Sequence, residues 1–272
     1  MLESTRKMPL AYTAPNMKTR LSVAIITLNE ERNLAECLAS VAFADEIVVV
    51  DGGSGDRTCE IARAAGARVI EAPDWLGFGV QKNRAIDACA GDWILSIDAD
   101  ERVPQPLRDE IQTALRDSNF DVYEMPRSSY YCGRFMRHSG WWPDYVRRLF
   151  RRGSARFSLS PVHESLQTSV PVGRLRSPIE HWSFRTMEQV LDKVNRYSTL
   201  SAPVVLERGG RPTLATAVMH SASAFLRTYL LKRGFLDGSH GFMLAISNAE
   251  GTYYRYVKAM LLRRQQRGDN HE

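Results

Sequence analysis

The chain has 272 residues and carries 36 Lys+Arg against 31 Asp+Glu, a formal net charge of +5. That length suits one large domain, or a domain with an appendage, and can bury a substantial core. Four scattered cysteines without a CxxC pair, a charged first 20 residues and no apolar run of about 18 argue against a disulfide framework, a zinc site, a secretory leader and a membrane span, and read as a cytoplasmic protein.

Residues 1–20 read as a loose arm. "LSVAIIT" (Leu21–Thr27) then predicts a buried strand, and "ERNLAECLASV" a helix with Leu34, Cys37, Leu38 and Val41 inward. "EIVVV" predicts a second strand, followed by a helix from about Arg57 with Asp56 and Thr58 as capping residues. "ARVIEA", "GVQKNRAIDACA", "DWILSI" and "QPLRDEIQTAL" continue as strand, helix, strand and helix, with Pro104 and Pro106 at the start of the last. Such alternation implies an α/β fold with a mostly parallel sheet covered on both faces. Ligands of such sheets sit beyond the carboxyl ends of the strands, where strand order reverses. Asn29, Glu30, Asp51, Asp98 and Asp100 all fall on that edge.

After residue 120 the pattern loosens. "DVYEMPR" and "YVRRLF" predict strands, and "TMEQVLDKVNRYSTLSAPVVLER" a long helix. "GGRP" breaks the chain before two more helices, about 213–232 and 242–265. Residues 211–272 hold nine Lys+Arg against four Asp+Glu, so the whole positive excess lies there and points to a local anionic partner. In the first of these helices Leu214, Val218, Ala222, Phe225 and Tyr229 share a face; in the second, Ile246, Ala249, Tyr253, Tyr256, Val257 and Met260 do, with Arg255, Lys258, Arg263, Arg264 and Arg267 adding charge. Two readings stand together: helices packed on the main domain with a solvated basic face, or a peripheral surface for anionic lipid. No recognition motif accompanies the charge, which argues against nucleic-acid binding.

"SIDADE" collects Asp98, Asp100 and Glu101 at the end of a strand. Like charges repel and buried carboxylates are costly, so a cation belongs among them. Two carboxylates at i and i+2 leaving a strand suit Mg2+ or Mn2+, which would also hold a diphosphate. There is no GxxxxGK[ST] and no GxGxxG. An aspartyl-phosphatase motif is disfavoured by Arg102 at its last position.

"AIITLNEERNL", "VVVDGGSGDRT", "GFGVQKNRAID" and "WILSIDADE" resemble the inverting glycosyltransferases of family 2, with the GT-A fold. Later stretches, "GWWPDYVRRLF", "VHE", "RYS" and "GFLDGSHGF", resemble the narrower group that adds a β-linked glucose or similar sugar to the lipopolysaccharide inner core. The resemblance implies a GT-A domain over residues 21–210, which leaves 211–272 as the helical, basic segment with the two readings given above. It implies that Thr27, Asn29 and Glu30 line a nucleotide pocket, that Asp51 contacts uridine, and that Asp98 and Asp100 touch ribose and a metal-bound diphosphate. Lys82 or Arg84 would reach a phosphate, or else form a solvated helix face. Glu164 in "PVHESL" and Asp144 in "WWPDYV" are the two candidates for the catalytic base, Glu164 the favoured one, although His163 stands where the family usually has an acidic residue. His181 in "IEHWSF" would be a late metal ligand or a hydrogen-bonded core histidine; Trp141 and Trp142 would stack on an acceptor sugar or belong to the core.

The implied activity is metal-dependent inverting transfer from a UDP-sugar, glucose first among them, to a heptose or neighbouring sugar of a glycolipid core, at the inner face of a Gram-negative cytoplasmic membrane. A family-2 enzyme acting on a lipid phosphate or capsule glycan, and a nucleotide-sugar-binding protein without catalysis, are the alternatives.

Overall fold

A computed structural model describes residues 19–117, 119–159 and 164–268. Nearly all of the expected N-terminal arm, and His163 beside the candidate base, lie outside the described residues.

β1 (Leu21–Thr27), β2 (Glu46–Asp51), β3 (Arg68–Glu71) and β4 (Trp93–Asp98) alternate with α1 (Leu34–Ser40), α2 (Thr58–Ala64) and α3 (Phe78–Ala88), as the sequence pattern predicts. β1 pairs in parallel with β2 on one side and β4 on the other, and β3 extends the sheet beyond β2. Strand order therefore reverses between β1 and β4, which opens a crevice at their carboxyl ends. Register brings Thr27 opposite Asp51 and Ile26 opposite Asp98, so the polar strand ends emerge level with one another.

Both faces are covered. Val23, Ile25, Trp93, Leu95 and Ile97 pack against Leu34 and Leu38 of α1 and Leu107 and Ile111 of α4 (Gln105–Arg116). On the opposite face Ala24, Val48, Val50 and Ile94 meet Ala85 and Ile86 of α3. Burial on two sides is the reason these strands read as nearly continuous apolar runs.

Beyond β4 the sheet becomes mixed. β5 (Glu101–Arg102), β6 (Val122–Tyr131), β7 (Arg134–Phe135), β8 (Asp144–Arg151), β11 (Val172–Arg174) and β12 (Ile179–Phe184) join it, while β9 (Arg156–Phe157) and β10 (Leu166–Gln167) form a small hairpin of their own. The order β3-β2-β1-β4-β8-β6-β12-β5 inserts β8 antiparallel between β4 and β6 and folds β5 back onto β12. This curl returns the residues just after β4 to the far end of the same sheet.

A third core of Tyr131, Met136, Phe184, Val190 and Leu244 ties β6 and β12 to α5 (Met187–Glu207) and α7 (Gly238–Gly268). A capping box between Thr186 and Gln189 starts α5. Between α5 and α7, α6 (Leu214–Leu226) runs into a wide π-helical turn, Arg227–Leu231, and a short 3-10 turn, Gly234–Asp237.

Two expectations for these helices are corrected. The expected apolar face packs only in part: Phe225 and Tyr229 are half-buried against Phe242 of α7, whereas Leu214, Val218 and Ala222 are exposed and Ala217 and Ala224 are buried. Small residues let α6 approach α7 closely enough for the Ser221 hydroxyl to donate to the Ala249 carbonyl at 2.9 Å. The basic stripe of α7 is also partly internal. Lys258 Nζ donates to the Asn195 carbonyl and to Asn195, Ser198 and Thr199 side chains of α5 at 2.7–3.0 Å. The side chain of Arg267 lies outside the described residues. No helix among the described residues is long and apolar enough to cross a membrane. The four cysteines are free, with Cys37 and Cys89 buried and Cys59 and Cys132 half-buried; burial pushes the Cys89 thiol up to about 12.

Candidate active site

The acidic turn after β4 has its cation built in. Arg148, on β8 next to β4, is 5% exposed and places one guanidinium nitrogen 2.6 Å from Asp98 Oδ2 and 2.6 Å from Glu101 Oε1. Glu101 is fully buried, and its other oxygen accepts the Asp98 backbone N–H at 3.0 Å. Lys82, reaching in from α3, lies 2.9 Å from Asp98 Oδ1. Burial pushes the Asp98 carboxyl up, but Arg148 and then Lys82 outweigh it and hold the group far below the usual carboxylate range. Arg148 and Lys82 thus relieve much of the repulsion among these acids, and they pair with both oxygens of Asp98.

Asp100 points elsewhere. β5 pairs antiparallel with β12, setting His181 opposite Glu101, and the Trp182 N–H donates to the Asp100 carbonyl at 2.9 Å. This clip brings His181 Nε2 to 3.2 Å from Asp100 Oδ2. The hydroxyls of Ser129 and Ser183 lie 3.1 and 2.9 Å from His181 Nδ1 and orient the ring. An oxygen and an imidazole nitrogen side by side fit Mn2+ or Mg2+ as two protein ligands of a larger shell. Among the described residues no cluster of three or more His, Cys, Asp or Glu is arranged to hold a metal. A cation here would take its remaining ligands from diphosphate and water.

The loops after β1 and β2 are laced together. Asp51, 1% exposed, accepts from Thr27 Oγ1 at 2.9 Å, the Gly53 and Ser54 N–H groups at 2.9 and 2.7 Å, and Ser54 Oγ at 2.5 Å. Burial raises this carboxyl, yet the bonds from Ser54, Thr27 and Gly53 leave it lowered overall. Its carboxylate is thus engaged in shaping the "GGSG" turn, in which Gly53 takes φ +96°. Asn29 (φ +56°) donates its N–H to Ser54 Oγ at 2.8 Å and accepts from the Gly55 N–H at 2.9 Å. Glu30 is raised by burial, partly offset by the Asn33 side chain and reinforced by Asp100, Asp56 and Asp98.

Lys82 and Arg84 part company. Residues two apart on a helix point roughly 200° from one another. Lys82 is buried in the site; Arg84 faces outward and clasps Asp74 with two nitrogens at 2.6 and 2.9 Å. Of the two alternatives weighed for this pair, the geometry fits Lys82 for the site and the solvated helix face for Arg84.

Of the two base candidates, Glu164 comes within 3.5 Å of Lys82, so Lys82 bridges it to Asp98. Asp144, first residue of β8, is gripped through one oxygen by Arg127 Nε and a terminal nitrogen at 2.9 and 2.5 Å. Trp141 packs edge-on against Tyr131 and beside Phe184 and belongs to the core, while Trp142 lies beneath the Arg137 guanidinium. Sequence reasoning passed over Arg148 and Arg127. The available signal was the doubled arginine in "YVRRLF": in a strand, one of two adjacent residues must face each side, and an inward arginine demands acids.

The sequence model of glycosyl transferase family 2 matches residues 22–179. A lipopolysaccharide core biosynthesis glycosyltransferase, LpsC, of Rhizobium meliloti is 35% identical over 255 residues, 89% of this chain and 91% of that protein. An uncharacterized glycosyltransferase of Rickettsia typhi is 32% identical over 88% of this chain and 86% of its own. Glucosyl-3-phosphoglycerate synthase of Mycobacterium tuberculosis, crystallised with Mn2+, UDP and glucosyl-3-phosphoglycerate, is 29% identical over 42% of this chain and 45% of its own, at a TM-score of 0.34.

Proposed function

The chain belongs to glycosyl transferase family 2, and from that premise we propose that it moves glucose from UDP-glucose to a heptose or neighbouring sugar of a lipopolysaccharide core. The observation that carries this reading is the assembly at the β1/β4 crevice. Lys82 joins Asp98 to Glu164, and the Asp100–His181 pair stands on the same acidic turn.

The residues divide the work as follows. Thr27, Asn29, Glu30 and Asp51 shape the wall that receives the nucleotide. Asp98, locked by Arg148, faces the ribose, and Lys82 meets a phosphate oxygen of the donor. Asp100 and His181 would hold a divalent ion, Mg2+ or Mn2+, which would supply positive charge for the departing diphosphate. Transfer is a single in-line displacement: the acceptor oxygen bonds to the anomeric carbon as its bond to the diphosphate breaks, and Glu164 takes the acceptor proton. Glu164 is favoured over Asp144 because its one described partner, Lys82, is 3.5 Å away, whereas Asp144 is clasped by Arg127. Residues 21–210 form the catalytic GT-A unit and 211–272 the helical unit that meets the inner face of the cytoplasmic membrane, where the glycolipid acceptor resides.

Purified protein, UDP-glucose, Mn2+ or Mg2+ and a panel of core acceptors test the proposal through UDP release. Absence of release, together with no thermal protection by UDP and either metal, refutes it. Release with a lipid-phosphate or capsule acceptor instead of a core acceptor keeps the chemistry and changes the substrate.

A further inference from the structure

The turn between α6 and α7 presents its large apolar residues to solvent. Leu231 is 80% exposed, and Leu226, Leu230, Phe235 and Leu236 each leave about half of their surface uncovered. A soluble surface rarely shows so many together without a use for them. Arg227, Lys232 and Arg233, all exposed, are interleaved with them. The stretch 226–236 contains no Asp or Glu, and the nearest acid, Asp237, is fully buried.

We propose that this knuckle is a docking surface for an anionic phospholipid bilayer, its leucines and phenylalanine entering the headgroup boundary and its three cations meeting lipid phosphates. The physical pattern is that of an interfacial segment: an apolar set flanked by basic side chains, with no acid to repel the surface. A second copy of the chain is a poorer occupant, because a two-fold contact through this patch would press six cations together. The exposed Leu214, Val218 and Met219 continue the apolar strip along α6.

The knuckle is also joined to the acceptor side of the site. The Lys232 carbonyl accepts the Ser139 N–H at 2.8 Å, and Asp237 accepts the Arg137 and His138 N–H groups at 3.2 and 2.9 Å. These bonds seat the loop between β7 and β8, which carries Trp141 and Trp142 and leads into Asp144, on the membrane-facing turn. A docked knuckle therefore sets the orientation of that loop toward the bilayer. The purpose of such docking rests on the proposed glycolipid acceptor; the docking itself does not.

The test is co-sedimentation of the full chain with vesicles of phosphatidylcholine, with and without phosphatidylglycerol, at low and high salt. Binding is expected to phosphatidylglycerol vesicles, weakened by salt and by omission of the anionic lipid. Arg227→Gln/Lys232→Gln/Arg233→Asn should lower the affinity roughly 100-fold, from about 1 kcal/mol per basic residue near an anionic surface. Asn is chosen at 233 because that residue has φ +54°. Leu231→Glu/Leu236→Glu should abolish binding while thermal protection by UDP stays at the wild-type level. Wild-type protein that ignores both vesicle types, or variants that bind as tightly as wild type, overturns the proposal. So does a dimer in sedimentation velocity that Leu231→Glu dissolves, in the absence of vesicle binding. Vesicle binding without any response to UDP would sink the transferase reading and leave the surface standing.

Discussion

Removing the buried cation of the acidic turn should unfold the site from within. In Arg148→Met, Glu101 keeps its full burial but loses the guanidinium at 2.6 Å; what remains is the Asp98 N–H at 3.0 Å and Arg127 at 4.0 Å. Asp98 suffers less, because Lys82 still lies 2.9 Å away. Stranding one member of a buried ion pair costs about 3–5 kcal/mol, a large share of a typical stability of about 5–15 kcal/mol. The double variant Arg148→Met/Glu101→Gln removes the stranded charge and should recover more than half of the loss, since a neutral amide still accepts the Asp98 N–H. Urea denaturation followed by circular dichroism reads both variants, with unchanged slopes confirming that only stability moved. If Arg148→Met is as stable as wild type, or if Glu101→Gln fails to rescue it, the neutralising role assigned to Arg148 is wrong.

Other outcomes follow from the same geometry. Asp100→Ala should lower transfer by about 100-fold or more while the melting temperature holds, because among the described residues its partly exposed side chain pairs with His181; undiminished turnover would remove it from the metal role. Glu164→Gln should cost about 100- to 10,000-fold in kcat and Asp144→Asn less, and the reverse ranking in a side-by-side assay of UDP release would move the base to Asp144. Glu30 is raised by burial and by neighbouring acids, so its charge opposes folding at neutral pH. Glu30→Gln should therefore be more stable than wild type at pH 7, and the gain should vanish below about pH 4.3, where the wild-type carboxyl is protonated in both folded and unfolded chains. A pH-independent difference contradicts this. Gly79→Ala would place a Cβ 2.1 Å from the Ser158 carbonyl and force α3 away from the β9 hairpin; a loss of about 1–3 kcal/mol is expected, and a thermal melt equal to wild type would refute the contact.

The first half of the chain was legible because its order is local. β1 to β4 are buried on both faces and α1 to α3 on one, so each announces itself by periodicity, and the polar ends of the parallel strands must then share an edge. The same reasoning placed Asn29, Glu30, Asp51, Asp98 and Asp100 at the crevice. The choice between Lys82 and Arg84 stayed open in the sequence because Asp74, the partner of Arg84, lies ten positions away on a loop whose path no periodicity reveals. On α6 amphipathicity names an apolar face without saying what covers it: Phe225 and Tyr229 meet Phe242 of α7, while Leu214 and Val218 are left in solvent.

For this protein, sequence alone determined the α/β alternation, the acidic turn and the membership in its family, since these depend on neighbours along the chain. Only the tertiary structure decided which cation answers the acids, which of Lys82 and Arg84 enters the site, and which face of α6 meets solvent. Arg148 stands 50 residues from Asp98 in the chain. A contact across that separation arises from the antiparallel insertion of β8 beside β4: the doubled arginine and the acidic turn are each visible locally, but only strand pairing brings them together.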